Sequence, residues 1–187
     1  MGICNHPFDD WKARALADAP LGAAELARFA ADVAEARGVA ARALFAAARD
    51  VRVKRLGRSV SLCAIVNAKS GRCSENCAFC AQSAHFDTGA PEHPFLDMEE
   101  IGRAARAMRE AGARRFGIVT SGLTPSGRDF ELLRQAVSLV DSLGMQADAS
   151  CGVLTADQLG ELKRAGLKAY HHNLETARSF FPQICTT

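Results

Sequence analysis

The 187-residue chain is 48% hydrophobic and 24% charged, proportions that suit a globular fold burying about two-thirds of its unfolded surface and that exclude a disordered chain. A net charge of +2 supplies no field that argues for nucleic acid or an anionic membrane as partner. "MGICNHPFDDWKARALADAP" lacks a basic segment followed by an apolar core, and no apolar run approaches the roughly 20 residues of a spanning helix, so the cytoplasm is the expected location. The Met-Gly start is no myristoylation signal, because His6 stands where Ser or Thr is needed. Seven cysteines without a secretion signal point to metal or redox use more than to a disulfide framework, and the odd count agrees.

In chain order, the alanine-rich stretch 22–50 repeats apolar residues at Leu26, Phe29 and Val33 and predicts one or two helices broken near Gly38. The apolar run "SVSLCAIVN", 59–67, predicts a strand buried on both faces. A loop rich in cysteine follows at once. A helix carrying Met98, Ile101, Ala105 and Met108 on one face comes next, opened by Asp97 and Glu100 at capping-box spacing and stopped at Gly112. Strand 115–121 leads to a helix with Phe130, Leu133, Val137 and Val140, stopped at Gly144. Strand 145–150, a helix opened by Thr155 and Gln158 and stopped at Gly166, and strand 167–173 complete the series.

This alternation predicts an α/β fold with a parallel sheet of about four strands, either open and doubly wound or part of a (β/α) barrel. The loops after the strand C-termini form the functional face in both. A helical extension over 1–55 is expected before the sheet domain, 56–187.

The loop "GRCSENCAFCAQSAHF", 71–86, places Cys73, Cys77 and Cys80 at gaps of three and two residues. Three thiolates on one loop suit a [4Fe–4S] cube whose fourth iron has no protein ligand. A zinc knuckle completed by His85 or His93 fits the same spacing, and three unliganded thiols remain the structural alternative.

The three-cysteine spacing, with Phe79 before its last member, resembles the signature of the radical S-adenosylmethionine enzymes. Within them, "NAKSGRCSENCAFCAQSAHF" from Asn67 and "YHHNLET" from Tyr170 are similar to the biotin synthase branch, and the likeness runs over residues 40–187. It implies the first half of a TIM-type radical SAM barrel behind N-terminal helices. It also implies a [4Fe–4S] cluster on Cys73, Cys77 and Cys80, whose open iron chelates S-adenosylmethionine, and a 5′-deoxyadenosyl radical that takes hydrogen from unactivated carbon.

On the same resemblance Phe79 packs by the adenine, or alternatively anchors its loop. Thr120 and Ser121 approach the cofactor's amino-acid part. Glu175 accepts from the ribose hydroxyls and Asn173 offers donor and acceptor to the ligand, with capping of the next helix as the other use of both. His171 and His172 face substrate or are ordinary rim residues. The implied reaction is sulfur insertion into dethiobiotin to form biotin, by a sulfurtransferase served by a low-potential electron donor protein and dimeric in its full-length form. Two alternatives stay open. One is a relative with another substrate, of the methylornithine synthase or metalloenzyme maturase type; the other is a non-catalytic module holding an iron–sulfur cluster or zinc.

Two departures stand against the family pattern. The cysteines expected in the second and third strands for a second, sulfur-donating cluster are replaced by Gly117 and Asp148. That leaves the auxiliary cluster in doubt, with Cys151 and Cys63 as nearby thiols. The chain also stops at "PQICTT", before the remaining strands of such a barrel. A fragment is therefore expected, with an open sheet edge and inner face that favour self-association.

Overall fold

The computed structural model describes residues 6–186 and divides into two compact units between Val60 and Ser61. The first unit holds three helices, α1 (Pro7–Leu16), α2 (Ala23–Glu35) and α3 (Gly38–Leu56). The break near Gly38 is present, at Ala36 and Arg37. Helix α1 falls inside the expected helical extension, where the periodicity marks no separate helix before residue 22. His6 caps it, with its side chain accepting from Phe8 N while Asp9 accepts from His6 N, and Pro7 takes the first turn, where no backbone donor is missed. Phe8, Trp11 and Ala47 form its small core with Phe29, Val33 and Leu44 around them. The Trp11 indole donates to Asp32 Oδ2 at 2.9 Å, so its one polar atom is satisfied.

The second unit is a four-stranded parallel sheet in the order β1 (Leu62–Lys69), β2 (Ala113–Thr120), β3 (Gln146–Ser150), β4 (Leu167–Tyr170). A doubly wound sheet reverses direction near its middle, whereas each strand here lies beside the next in sequence, the order of a barrel wall. Helices α4 (Met98–Glu110), α5 (Gly127–Ser142) and α6 (Ala156–Arg164) separate the strands, and the short α7 (Phe181–Ile184) follows β4.

Register sorts the side chains by period two. The rows Ala64, Phe116, Ala147, Leu167 and Val66, Ile118, Ala149, Tyr170 join the core with Ile101, Leu133, Val137, Val140 and Leu162 from the helices. The alternate rows, Cys63 with Arg115 and Gln146, and Ile65 with Gly117, Asp148 and Ala169, lie on the opposite face. Ile65 there is 71% exposed, so β1 is covered on one face and not on both as its apolar run predicts.

Caps stand where the spacing places them. Asp97 accepts from Glu100 N at 2.8 Å, and Thr155 and Gln158 bond reciprocally at 3.2 and 2.9 Å. Gly166 ends α6 with φ +111°, and an added Cβ would fall 2.6 Å from Asp141, so no other residue fits that turn unstrained. Three details differ from expectation. Strand β1 begins at Leu62 because residues 59–61 have no partner on β2. Strand β4 ends at Tyr170, although His171 N still donates to Ala149 O at 2.8 Å. Met108 on α4 is 38% exposed while Gly102 is buried; a Cβ at Gly102 would sit 3.3 Å from Leu139, so α4 packs close to α5 through glycine.

Candidate functional site

The cysteine loop is built by its backbone. Ser70 and His93 exchange two hydrogen bonds of 3.1 Å, and Gln82 accepts from Cys73 N at 3.0 Å through its carbonyl and from Gly71 N at 2.7 Å through its side chain. Ala84 N donates to Cys73 O at 2.9 Å and Cys80 N to Cys77 O at 2.9 Å. The strand's exit is thereby folded back on itself, and Cys73, Cys77 and Cys80, all half-buried, share one small loop at the C-terminal end of β1.

Burial, then a hydrogen bond with Cys185, then the charges of Cys185, Cys80 and Cys73 push the Cys77 thiol up to about 11. A thiol so crowded keeps its proton until a cation replaces it. Cys185 is 8% exposed and was given no role in the sequence reading; nothing in cysteine spacing signals a partner more than a hundred residues away.

The fit to an iron–sulfur cluster rests on the donor set. The three cysteines on this loop offer soft sulfur donors, as clusters require. The histidines considered for zinc are engaged elsewhere, His85 Nε2 with Ser74 O and His93 Nδ1 with Pro94 O, both at 2.9 Å. Among the described residues no three His, Cys, Asp or Glu side chains gather closely enough to hold a single metal ion. A cube spreads its three thiolates over three irons, so it does not ask for that convergence.

The neighbouring loops are tied to this one. Ser121 Oγ donates to Gly71 O at 2.7 Å and its N–H to Lys69 O at 3.0 Å. Thr120, in contrast, is the last residue of β2 and pairs in register with Lys69. Tyr170 OH donates to Gly152 O at 2.7 Å and accepts from Cys151 N at 3.2 Å, and His172 Nδ1 lies 3.2 Å from the same Gly152 carbonyl. Gly152, at φ +78°, stands so near the loop after β2 that an added Cβ would lie 2.1 Å from Leu123 O. After β4 the chain runs back from the far edge of the sheet to the cysteine loop, where Ala78 N donates to Ile184 O at 2.8 Å and Thr186 N to Asn76 Oδ1 at 3.0 Å.

Asn173 and Glu175 lie exposed on this returning segment, and Glu175 holds φ +61°, a left-handed conformation that costs a non-glycine residue about 1 kcal/mol or more. Neither caps a helix, since α7 starts from Phe180 without a side-chain cap. Phe79 is 54% exposed, so it does not anchor its loop in the core. His171 is exposed, 3.6 Å from Asp148 Oδ2.

At the positions expected to hold a second cluster, Gly117 and Asp148 are register neighbours. Asp148, 5% exposed, is held by Arg115 through two hydrogen bonds of 2.8 and 2.6 Å, and Arg115 also donates to Gln146 Oε1 at 2.8 Å. One expected ligand position, Asp148, is thus taken by an ion pair and the other, Gly117, carries no donor side chain, so the residues do not fit a cluster there. The structure does not bring Cys151 to this place: its thiol lies in the helix-side core, donating to Ile118 O at 3.6 Å. Cys63 is exposed on the Arg115 side.

Burial pushes Cys151 up to about 11. Its folded value lies above its free one, so the stability it contributes is full below pH ~8.5 and is lost as pH rises through about 11. Under native conditions at pH 8, iodoacetamide is expected to modify Cys63 within minutes and to leave Cys151 untouched until the chain unfolds; peptide mass mapping of a labelling time course checks the order.

A sequentially ordered parallel sheet, helices on one face, and a loop of soft sulfur ligands after the first strand define a barrel-wall protein with a thiolate cofactor centre. The Radical SAM superfamily matches over residues 68–186, and the chain belongs to that superfamily. It is 52% identical over 145 residues, 77% of this chain and 45% of the relative, to a biotin synthase of Pelotomaculum thermopropionicum. It is 48% identical over 177 residues, 93% of this chain and 52% of the relative, to a biotin synthase of Pelobacter propionicus. The chain therefore spans about half the length of the curated relatives it matches. Among solved structures it resembles HydG, a maturase of the [FeFe]-hydrogenase, with a TM-score of 0.74 at 18% identity, over 96% of this chain and 40% of that one; this likeness carries the fold alone. Among the described residues no helix is long and apolar enough to cross a membrane.

Proposed function

We propose that this chain carries the S-adenosylmethionine-cleaving part of a biotin-synthase-type enzyme, acting on dethiobiotin or a close analogue. The observation that carries the reading is the three-thiol loop at the end of β1, inside the region that matches the superfamily. Cys73, Cys77 and Cys80 would hold a [4Fe–4S] cluster, which with S-adenosylmethionine supplies a carbon-centred radical able to take hydrogen from an unactivated position. A low-potential protein would supply the electron.

The chain's own residues hold and orient. Ser121 spends its hydroxyl on Gly71 and so braces the loop from β2 while its oxygen lone pairs stay available. Asn173 and Glu175 lie on the segment that returns from β4 to the cysteine loop. The reading assigns Glu175 to the ribose hydroxyls and Asn173 to the polar part of the same ligand. Exposed Phe79, beside Cys80, supplies a flat apolar surface for the adenine.

The sulfur source is the point where this chain parts from the two-cluster pattern. With Arg115 and Asp148 paired across β2 and β3, the reading requires a sulfur donor not held by those positions. Anaerobic reconstitution tests the function. About four irons and four sulfides per chain, and 5′-deoxyadenosine release under a low-potential reductant, are expected; one tightly held zinc without sulfide overturns the reading. Glu175→Gln is expected to raise the S-adenosylmethionine Kd about tenfold, the loss of one charged hydrogen-bond acceptor, with unchanged iron content; equilibrium dialysis measures it.

A further inference from the structure

Cys185 stands opposite Cys77, and the placement is built. Residues 184–186 run alongside 76–78, joined by Ala78 N to Ile184 O at 2.8 Å, by Thr186 N to Asn76 Oδ1 at 3.0 Å, and by a further bond between the Asn76 amide and Thr186 Oγ1. Cys185 sits in the middle of this clamp. Its backbone is extended, its N–H is satisfied by Phe181 O at 2.9 Å, and it is buried. A cysteine fixed opposite a cluster-loop cysteine by bonds on both sides is more than a cysteine of the apolar core.

We infer that Cys185 is a reserve cluster ligand: it can take over the iron assigned to Cys77, and among the described residues no equivalent thiol is placed for Cys73 or Cys80. The inference rests on the proposed cluster. Iron in such a site requires a soft donor within a small movement, and Cys185 is the sulfur-bearing residue that the clamp sets opposite Cys77. On binding, Cys185 releases its proton to water and donates a sulfur lone pair to the iron, with no change in oxidation state. The clamp through Asn76 and Ala78 holds the substitute in place when the Cys77 sulfur is removed.

The test compares the full chain with its variants after anaerobic reconstitution with iron and sulfide, scored by iron and sulfide content and by the electron paramagnetic resonance of the reduced cluster. Cys77→Ala is expected to retain at least about half of the wild-type cluster content with an altered resonance, whereas Cys73→Ala and Cys77→Ala/Cys185→Ala retain less than about a tenth. Cys185→Ser alone should match wild type. Far-UV circular dichroism and Cys77→Ala/Cys185→Ser, which keeps a hydroxyl in the clamp, separate lost ligation from lost folding. A folded Cys77→Ala protein that loses its cluster as completely as Cys73→Ala overturns the inference while leaving the cluster reading standing. Equal retention in Cys77→Ala and its double variants overturns it as well. A wild-type chain that takes up no iron and sulfide sinks the cluster reading first.

Discussion

Cys80→Ala is expected to abolish 5′-deoxyadenosine release, by at least about a thousandfold, and to leave the chain folded. The thiol closes a turn whose backbone bond, Cys80 N to Cys77 O at 2.9 Å, does not depend on its side chain, so the loop survives the substitution. The cofactor does not, because the cluster supplies the electron transfer that no side chain can replace. Chromatographic quantitation of 5′-deoxyadenosine, alongside iron content and circular dichroism, checks both halves. Substantial release from a folded, iron-poor variant would show that the loop is not the reactive centre.

Phe116→Ala is expected to cost about 3–5 kcal/mol of stability, the range for removing a fully buried aromatic side chain. Phe116 is completely buried at the centre of the second strand, in a row with Ala64, Ala147 and Leu167. Its row neighbours on β1 and β3 are alanines, too short to close the space that it fills, so the cavity would persist. Urea unfolding followed by circular dichroism measures the loss. A change below about 1 kcal/mol would mean that α4 and α5 can collapse onto the sheet, against the close packing that buried Gly102 implies.

The elements of the sheet unit were legible because local signals coincide there. Apolar runs mark the strands, capping pairs such as Thr155 and Gln158 mark helix starts, and glycines mark helix ends. Helix α1 escaped for the opposite reason. Its apolar residues are few, and its N-terminus depends on a histidine cap and a proline that also read as a turn. Spacing likewise made the cysteine loop visible as a ligand set, because three thiols within one turn of chain can be counted without knowing the fold.

By itself, then, the sequence determined the alternation of strands and helices and the three-thiol loop. These follow from periodicity and from contacts between residues close in the chain. Tertiary structure alone decided what depends on distant segments meeting. The sequential order of the strands separated a barrel wall from a doubly wound sheet. Register set Arg115 diagonally from Asp148, within reach of its side chain, and so placed an ion pair at one of the two second-cluster positions. The chain's return from β4 set Cys185 against Cys77, a meeting fixed by backbone hydrogen bonds between segments far apart in sequence, which no local pattern of residues encodes.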